Sequence, residues 1–115
     1  MDNTITYKQA VQELIQELSA MMPKDDNGVE NQLLIDNERG HYLIMGVGWE
    51  FGKWFYATFV HIDVKENGLV WLQHNGTDLD LVASMNRLGI PKTDIVLGFH
   101  SPNVREHVLV EYAKG

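Results

Sequence analysis

The N-terminal part of the chain carries apolar side chains at intervals of three and four, the spacing of one helix face. This apolar stripe comprises Tyr7, Val11, Leu14, Leu18 and Met21, and it is widened by Ile15 and Met22. The positions between them are mostly polar, and Pro23 predicts the end of the helix. The pattern predicts an amphipathic helix whose apolar face packs on a sheet, with a partner-binding helix as the alternative.

After a polar loop at residues 23–28 the apolar period changes to two, which is typical of β-strands. Four strands are predicted, at residues 32–36, 41–49, 54–64 and 69–74. The turn before the last strand contains Asn67-Gly68, a pair favoured in hairpins. Gly46 and Gly48 indicate a bulge or a close approach within the second strand. Because short turns join antiparallel neighbours, the pattern predicts an antiparallel meander and not a βαβ unit.

The last third of the chain predicts two shorter helices around an extended segment at residues 95–97. Thr77, with Asp80 three residues on, has the spacing of a capping box and predicts the start of the second helix. Its apolar stripe is Leu81, Val82, Met85 and Leu88, and Gly89 lies where a helix C′ glycine belongs. Ser101-Pro102 predicts a short helix through about His107. Residues 108–112 fit either a last strand or a continued helix. The whole chain, residues 1–115, is expected to form one α+β domain.

Composition and charge exclude several classes of function. The 9 Lys and Arg against 16 Asp and Glu give a formal charge of −7, which argues against a protein that mainly grips nucleic-acid phosphates. The absence of cysteine excludes disulfides, thiolate nucleophiles and Cys-ligated zinc sites. The first residues lack the features of a signal peptide, and no apolar run approaches membrane-spanning length. We therefore expect a cytoplasmic protein without membrane contact.

Five histidines in a short chain raise the question of a metal site. His61 and Asp63 share one strand face because they are two residues apart, and a sheet would bring His41 or His74 beside them. No H-x-x-x-H, H-E-x-x-H or H-x-H spacing occurs, so we predict no metal and no cofactor. No serine stands in a nucleophile elbow and no phosphate-binding loop is present, so no catalytic residue is predicted. A His/Asp metal protein or enzyme stays open as an alternative.

Aromatic residues cluster at the turn between the second and third predicted strands. They are Trp49, Phe51, Trp54 and Tyr56. The favoured interpretation places them in the core, and the alternative makes them anchors for another protein chain.

Three sequence blocks resemble one family over nearly the whole chain, in order. The first is Asp36-x-Glu38-Arg39-x-His41-Tyr42, running on to Gly48-Trp49. The second is His61-x-Asp63-Val64-Lys65, Gly68, Val70-Trp71-Leu72-Gln73 and Gly76-Thr77. The third is Leu88-Gly89-Ile90-Pro91-Lys92-x-Asp94-Ile95-Val96-Leu97-Gly98-Phe99, then Pro102 and Arg105. Together they resemble the XisI family, the factors that control excision of the fdxN element in filamentous cyanobacteria. Asn75 departs from the Asp that is more frequent there, and either residue suits a turn.

The resemblance implies an XisI-like α+β fold and a non-enzymatic accessory role in DNA excision and recombination. It implies protein contacts with an XisH-type, nuclease-like partner and with a site-specific recombinase, so that DNA is touched only indirectly. A direct DNA-binding module is a further alternative, and homo-oligomerisation through an open sheet edge stays open.

Eight residues within these blocks are explained least by folding alone, and we predict that they form a recognition surface. They are Arg39, His41, Trp49, His61, Asp63, Lys92, Asp94 and Arg105.

Overall fold

One long helix lies against one face of a six-stranded sheet. The computed structural model describes residues 3–23, 25–26 and 28–115. Its elements are α1 (Thr4–Met21), β1 (Asp25–Asp26), β2 (Val29–Asp36), β3 (His41–Glu50), β4 (Lys53–Val64), β5 (Val70–Asn75), α2 (Leu81–Arg87), a 3₁₀ turn (Lys92–Asp94), β6 (Ile95–Leu97) and α3 (Pro102–His107). The strands lie in the order β1 to β6 across the sheet. The predicted α+β class with an N-terminal helix on a meander is confirmed.

Helix α1 buries most of the predicted stripe. Its buried residues are Thr4, Tyr7, Ala10, Val11, Leu14, Ile15 and Leu18. Met21 is 69 % exposed, so its assignment to the buried stripe is wrong; the core at this end of α1 is reached by Leu18 and Met22 instead. The remaining stripe meets the alternating apolar residues of β3 and β4, among them Tyr42, Ile44, Val60 and Ile62, to form one core.

The meander is antiparallel from β1 to β5, as the short turns predict. Strand β2 begins at Val29, three residues earlier than expected, because β3 pairs with it along its full length. The backbone of residues 25–26 pairs with β2, so the predicted loop at 23–28 contains a short strand; Lys24 and Asn27 lie outside the described residues. Gly46 and Gly48 are sites of close approach, as predicted: a Cβ would overlap Phe59 at Gly46 and the Gly28 carbonyl at Gly48.

Strand β6 changes the sheet from antiparallel to mixed. It pairs parallel to β5, with Val70 opposite Ile95 and Leu72 opposite Leu97. The segment at residues 95–97 is extended as predicted, but its place in the sheet depends on the crossover through α2. All three β6 residues are buried.

Helix α2 begins later than the capping-box pattern predicts. Asp80 is its N-cap and accepts a hydrogen bond from Ala83 N at 3.0 Å. Thr77 instead closes a turn on Asn75, donating its backbone N–H and its hydroxyl to the Asn75 side-chain oxygen at 2.9 and 2.6 Å. The prediction that Thr77 starts the helix is therefore wrong, because the local Asn75 turn takes its hydrogen bonds. Gly89 has φ +95° and ends the helix as expected.

The C-terminal segment follows α3 as turns that run back along β6. Ser101 caps α3 by accepting from Val104 N, as the Ser-Pro pair predicts. Residues 108–112 form neither of the predicted alternatives, strand or helix. Ala113 N donates to the Ile95 carbonyl at 2.9 Å, which ties this segment to the sheet edge.

Candidate functional site

The sheet face opposite α1 carries the chemically interesting side chains. On β3, Tyr42 and Ile44 point into the core, so the alternating residues His41 and Leu43 lie on the opposite face. Trp49 lies on this same face at the far end of β3. Trp49 is eight residue steps from His41, about 27 Å along the strand. The outer face therefore has two separate regions, one at each end of β3.

The first region is a cluster of two imidazoles and one carboxylate, His41, His61 and Asp63, which we call the imidazole–carboxylate cluster. His41 lies directly opposite Asp63 in the β3–β4 register, and His61 precedes Asp63 by two on β4. His41 Nδ1 and His61 Nε2 each lie 2.8 Å from the same oxygen, Asp63 Oδ1. The strand pairing thus supplies the partner, His41, that the His61–Asp63 spacing left open. The other candidate, His74, lies opposite His61, but its ring lies beside Gly76.

Burial differs sharply within the cluster. The side chain of Asp63 is 7 % exposed, whereas those of His41 and His61 are 47 % and 31 % exposed. Burial raises the pKa of Asp63, but hydrogen bonds from His41, Gln73 and His61, together with the charge of His61, outweigh it. The pKa of Asp63 therefore lies below its ordinary value, and the group is a carboxylate at neutral pH. A carboxylate only accepts hydrogen bonds, which assigns the facing hydrogens to His41 Nδ1 and His61 Nε2.

A fourth residue, Gln73, fixes the carboxylate in place, and sequence reasoning missed it. Gln73 Nε2 donates to Asp63 Oδ2 at 3.1 Å, which leaves Oδ1 for the two histidines. The β4–β5 register shifts between His61 and Ile62, and this bulge gives Gln73 its position. Gly98 lies against the Gln73 amide so closely that a Cβ there would overlap its Oε1 atom. No local signal singled it out, because Gln73 is the first of three polar residues that end β5.

The second region is an exposed aromatic patch at the β3–β4 hairpin, formed by Trp49, Phe51, Trp54 and Tyr56. Each side chain is more than half exposed, so the favoured prediction that they belong to the core is wrong. The physical reason is that α1 covers the other sheet face. Trp49 and Trp54 are cross-strand partners whose rings meet edge to face at 5.6 Å. Such a group of exposed aromatics on one surface is typical of a protein interface.

The backbone at the tip of this hairpin is unusual. Phe51 has φ +52° and Gly52 has φ +74°, the conformation of a two-residue type I′ turn. A bulky residue in this left-handed region costs roughly 1–2 kcal/mol relative to an extended or right-handed one. The Phe51 ring, 85 % exposed, gains little burial in return. The residue is therefore unfavourable for folding, both in backbone conformation and in exposure, which points to a role outside folding.

The other predicted site residues make separate contacts elsewhere. Arg39 lies in the turn before His41 and pairs with Asp36 at 3.3 Å. The pKa of Asp36 lies below its ordinary value, chiefly because the Arg39 backbone N–H donates to it. Asp94 accepts a hydrogen bond from the Tyr7 hydroxyl and so links the 3₁₀ turn to α1.

Lys92 and Arg105 hold the C-terminal segment. Lys92 Nζ lies 3.5 Å from Glu111 Oε2. The Arg105 guanidinium stacks 5.2 Å from the centroid of the Trp71 ring and donates to the carbonyls of His100 and Lys114 at 2.6 and 3.0 Å. The structure thus brings three of the eight predicted residues together in the imidazole–carboxylate cluster and places one, Trp49, in the aromatic patch.

The basic residues mostly have acidic or aromatic partners. Arg87 pairs with Glu17 at 3.0 Å, and Lys65 lies over the Trp71 ring. Arg39 pairs with Asp36 and Lys92 with Glu111, so three of the described basic side chains lie beside an acidic one. Among the described residues, no helix is both long and apolar enough to span a membrane.

The fold and surface define a small α+β domain with one helix-covered and one largely open sheet face. Residues 1–114 match the family model described as XisI protein, and the chain belongs to the XisI family. A XisI-like protein from Anabaena variabilis ATCC 29413 is 34 % identical, with a TM-score of 0.86 over 96 % of this chain and 97 % of that one.

A second crystal structure is also similar over its whole length. It is the fdxN element excision controlling factor XisI from the same organism, 32 % identical, with a TM-score of 0.85, covering 99 % of this chain and 100 % of that one. Among curated proteins, none matches the chain. The resemblance inferred from the three sequence blocks is confirmed.

Proposed function

We propose that this protein is a non-enzymatic controlling factor for excision of a DNA element, acting in the cytoplasm through contacts with other proteins. Membership of the XisI family supports the excision role, since one solved relative is an fdxN element excision controlling factor. The partner we propose is an XisH-type, nuclease-like protein that works with a site-specific recombinase. The net charge of −7 supports contact with DNA through that partner.

The observation that carries the proposal is the aromatic patch. Trp and Tyr dominate the energetics of protein interfaces, because they bury large areas and lose few degrees of freedom. Trp49 and Trp54 support each other edge to face, so the pair is already held in one arrangement before a partner arrives. Phe51, at the tip of the same hairpin, is exposed and has a backbone conformation that folding disfavours. We propose that Phe51 and the Trp pair insert into an apolar pocket of the XisH-type protein.

Co-purification with the XisH-type protein, followed by titration calorimetry, tests this proposal. Trp49→Ser removes an interface anchor, and we expect a loss of at least about 2 kcal/mol in binding free energy, roughly 30-fold in Kd. Phe99→Ser is the control, since Phe99 is also an exposed aromatic, 54 % against 64 % for Trp49, and lies outside the aromatic patch. This control should bind like the wild type.

Phe51→Asn separates interface from folding. Asn-Gly is the preferred type I′ pair, so the variant should be more stable by about 1 kcal/mol. The same variant should bind the XisH-type partner more weakly than the wild type. No binding by the wild-type chain at micromolar concentrations, or equal losses for Trp49→Ser and Phe99→Ser, would rule the proposal out. Tight binding of the isolated chain to DNA that falls steeply with salt would favour a DNA-binding module instead.

A further inference from the structure

We propose that His41, His61 and Asp63 form a binding site for a divalent transition-metal ion of the Zn²⁺ type. Among the described His, Asp and Glu residues, these three alone place a ligand atom each within 4.8 Å of one another. Two imidazole nitrogens and one carboxylate oxygen are a ligand set that Zn²⁺ uses, with a further position left for water or another group. Mg²⁺ and Ca²⁺ prefer oxygen ligands throughout, so this set selects against them.

The distances fit with a small adjustment. Each histidine nitrogen now lies 2.8 Å from Asp63 Oδ1, joined to it by a hydrogen. Tetrahedral ligands at bond lengths of about 2.0–2.1 Å stand roughly 3.3 Å apart, so each ring needs to move outward by about 0.5 Å. Each ring can move toward solvent, because its side chain is partly exposed. The metal ion then takes the place of the two bridging hydrogens, and each neutral ring carries its proton on the other nitrogen.

The cluster is held by rigid elements. All three residues lie on β3 and β4, where His41 and Asp63 are direct cross-strand partners. The hydrogen bond from Gln73 to Asp63 Oδ2 orients the carboxylate so that Oδ1 meets both rings. Metal sites depend on such supporting hydrogen bonds, and their loss lowers affinity about 10- to 100-fold. The site therefore has a preformed acceptor, a supporting residue and an open side through which an ion can enter.

If the cluster has a purely structural role, both imidazole N–H groups donate to the same carboxylate oxygen and no metal ion is bound. That arrangement predicts stabilisation without any dependence on metal. The metal site predicts saturable binding that needs each of the three side chains. These consequences can be separated by experiment.

The test uses the full chain prepared without a histidine tag and freed of metal with a chelator. Calorimetric titration with Zn²⁺ should show one ion per chain, and titration with Mg²⁺ should show no saturable binding. Gln73→Ala should weaken Zn²⁺ binding about 10-fold. His41→Gln and His61→Gln each remove a ligand and should weaken it further. Co²⁺, added in place of Zn²⁺, should give the visible absorption bands of a tetrahedral site. Circular dichroism checks that each variant is folded.

His74→Gln is the control, because His74 lies opposite His61 on the neighbouring strand but outside the cluster. It should bind Zn²⁺ like the wild type. The proposal is overturned if the wild type shows no saturable binding, if His41→Gln and His61→Gln bind unchanged, or if His74→Gln loses as much as they do. One ion for every two chains, with dimerisation, would place the metal between copies and overturn it as well. His41 is half exposed, so His41→Gln is expected to fold even if changes at Asp63 do not.

Discussion

Replacing Asp63 by Asn tests the central feature of the imidazole–carboxylate cluster, a buried carboxylate held by three hydrogen bonds. The change keeps the size of the side chain and removes its charge. Hydrogen bonds to a charged group contribute about 1.5–3 kcal/mol each, and neutral ones about 0.5–1.5 kcal/mol. The hydrogen bonds from His41, His61 and Gln73 are therefore all weaker in Asp63→Asn. In addition, one carboxylate oxygen is replaced by an NH₂ group, which faces a donor and cannot accept a hydrogen bond from it.

The expected loss is moderate because the two histidines are partly exposed. Allowing for screening by solvent, we expect Asp63→Asn to lower the free energy of unfolding at neutral pH by about 2 kcal/mol. For a domain of this size, that corresponds to a fall in Tm of roughly 8 °C. Urea denaturation and thermal unfolding, both without added metal, measure the two quantities. Asp78→Asn is the matched control, since it removes an exposed carboxylate, and it should change stability little.

The pH dependence of this stability difference is a sharper criterion than the loss of stability at neutral pH. The pKa of Asp63 in the folded protein lies below 3.8, its value without partners. The stabilisation from the ionised group is therefore present above pH 3.8 and is lost as pH falls through the folded-state pKa. The stability gap between wild type and Asp63→Asn should be largest above that value and should narrow below it. An Asp63→Asn variant as stable as the wild type at neutral pH, or a gap that persists undiminished in acid, would refute this account.

Two further predictions concern stability away from the cluster. Gly48→Ala should lower the free energy of unfolding by about 3 kcal/mol or more, because a Cβ at this position would overlap the Gly28 carbonyl. Gly52→Ala should lower it by only about 1 kcal/mol, because Gly52 has φ +74° but open space around it. Equal effects of the two changes in urea denaturation would contradict the close approach at Gly48. Burial and the Asp94 partner raise the pKa of Tyr7 from 10.0 to about 12, so stability should fall as pH rises above 10. Tyr7→Phe should reduce that alkaline loss of stability, and an unchanged alkaline profile would show that Tyr7 does not titrate in this way.

The elements that the sequence predicted well are those governed by neighbouring residues. Helix α1 follows from apolar spacing, and the β4–β5 hairpin and the ends of α2 and α3 follow from Gly68, Gly89 and the Ser101-Pro102 pair. Side-chain periodicity and turn preferences depend on a few neighbouring residues, so they can be recognised from the sequence alone. The errors arose where two local signals competed, as at Thr77, whose hydrogen bonds go to the Asn75 turn and leave Asp80 to cap α2.

Only part of the candidate site could be predicted from the sequence. The spacing of His61 and Asp63 placed them on one face, but only the β3–β4 register brings His41 opposite Asp63. Gln73 reaches the cluster through a bulge in β4–β5 pairing, for which no local pattern exists. Such contacts depend on strand register, which is set by the combined packing of the sheet and its core.

The sequence by itself determined the composition, the family resemblance, the amphipathic helix and the meander with its turns. The tertiary structure decided which sheet face α1 covers, and hence that Trp49 and Trp54 lie exposed on the other. It also decided that β6 pairs parallel with β5. The physical reason is the same in each case: a strand's alternation separates two faces, but only the packing of distant segments determines which face is buried.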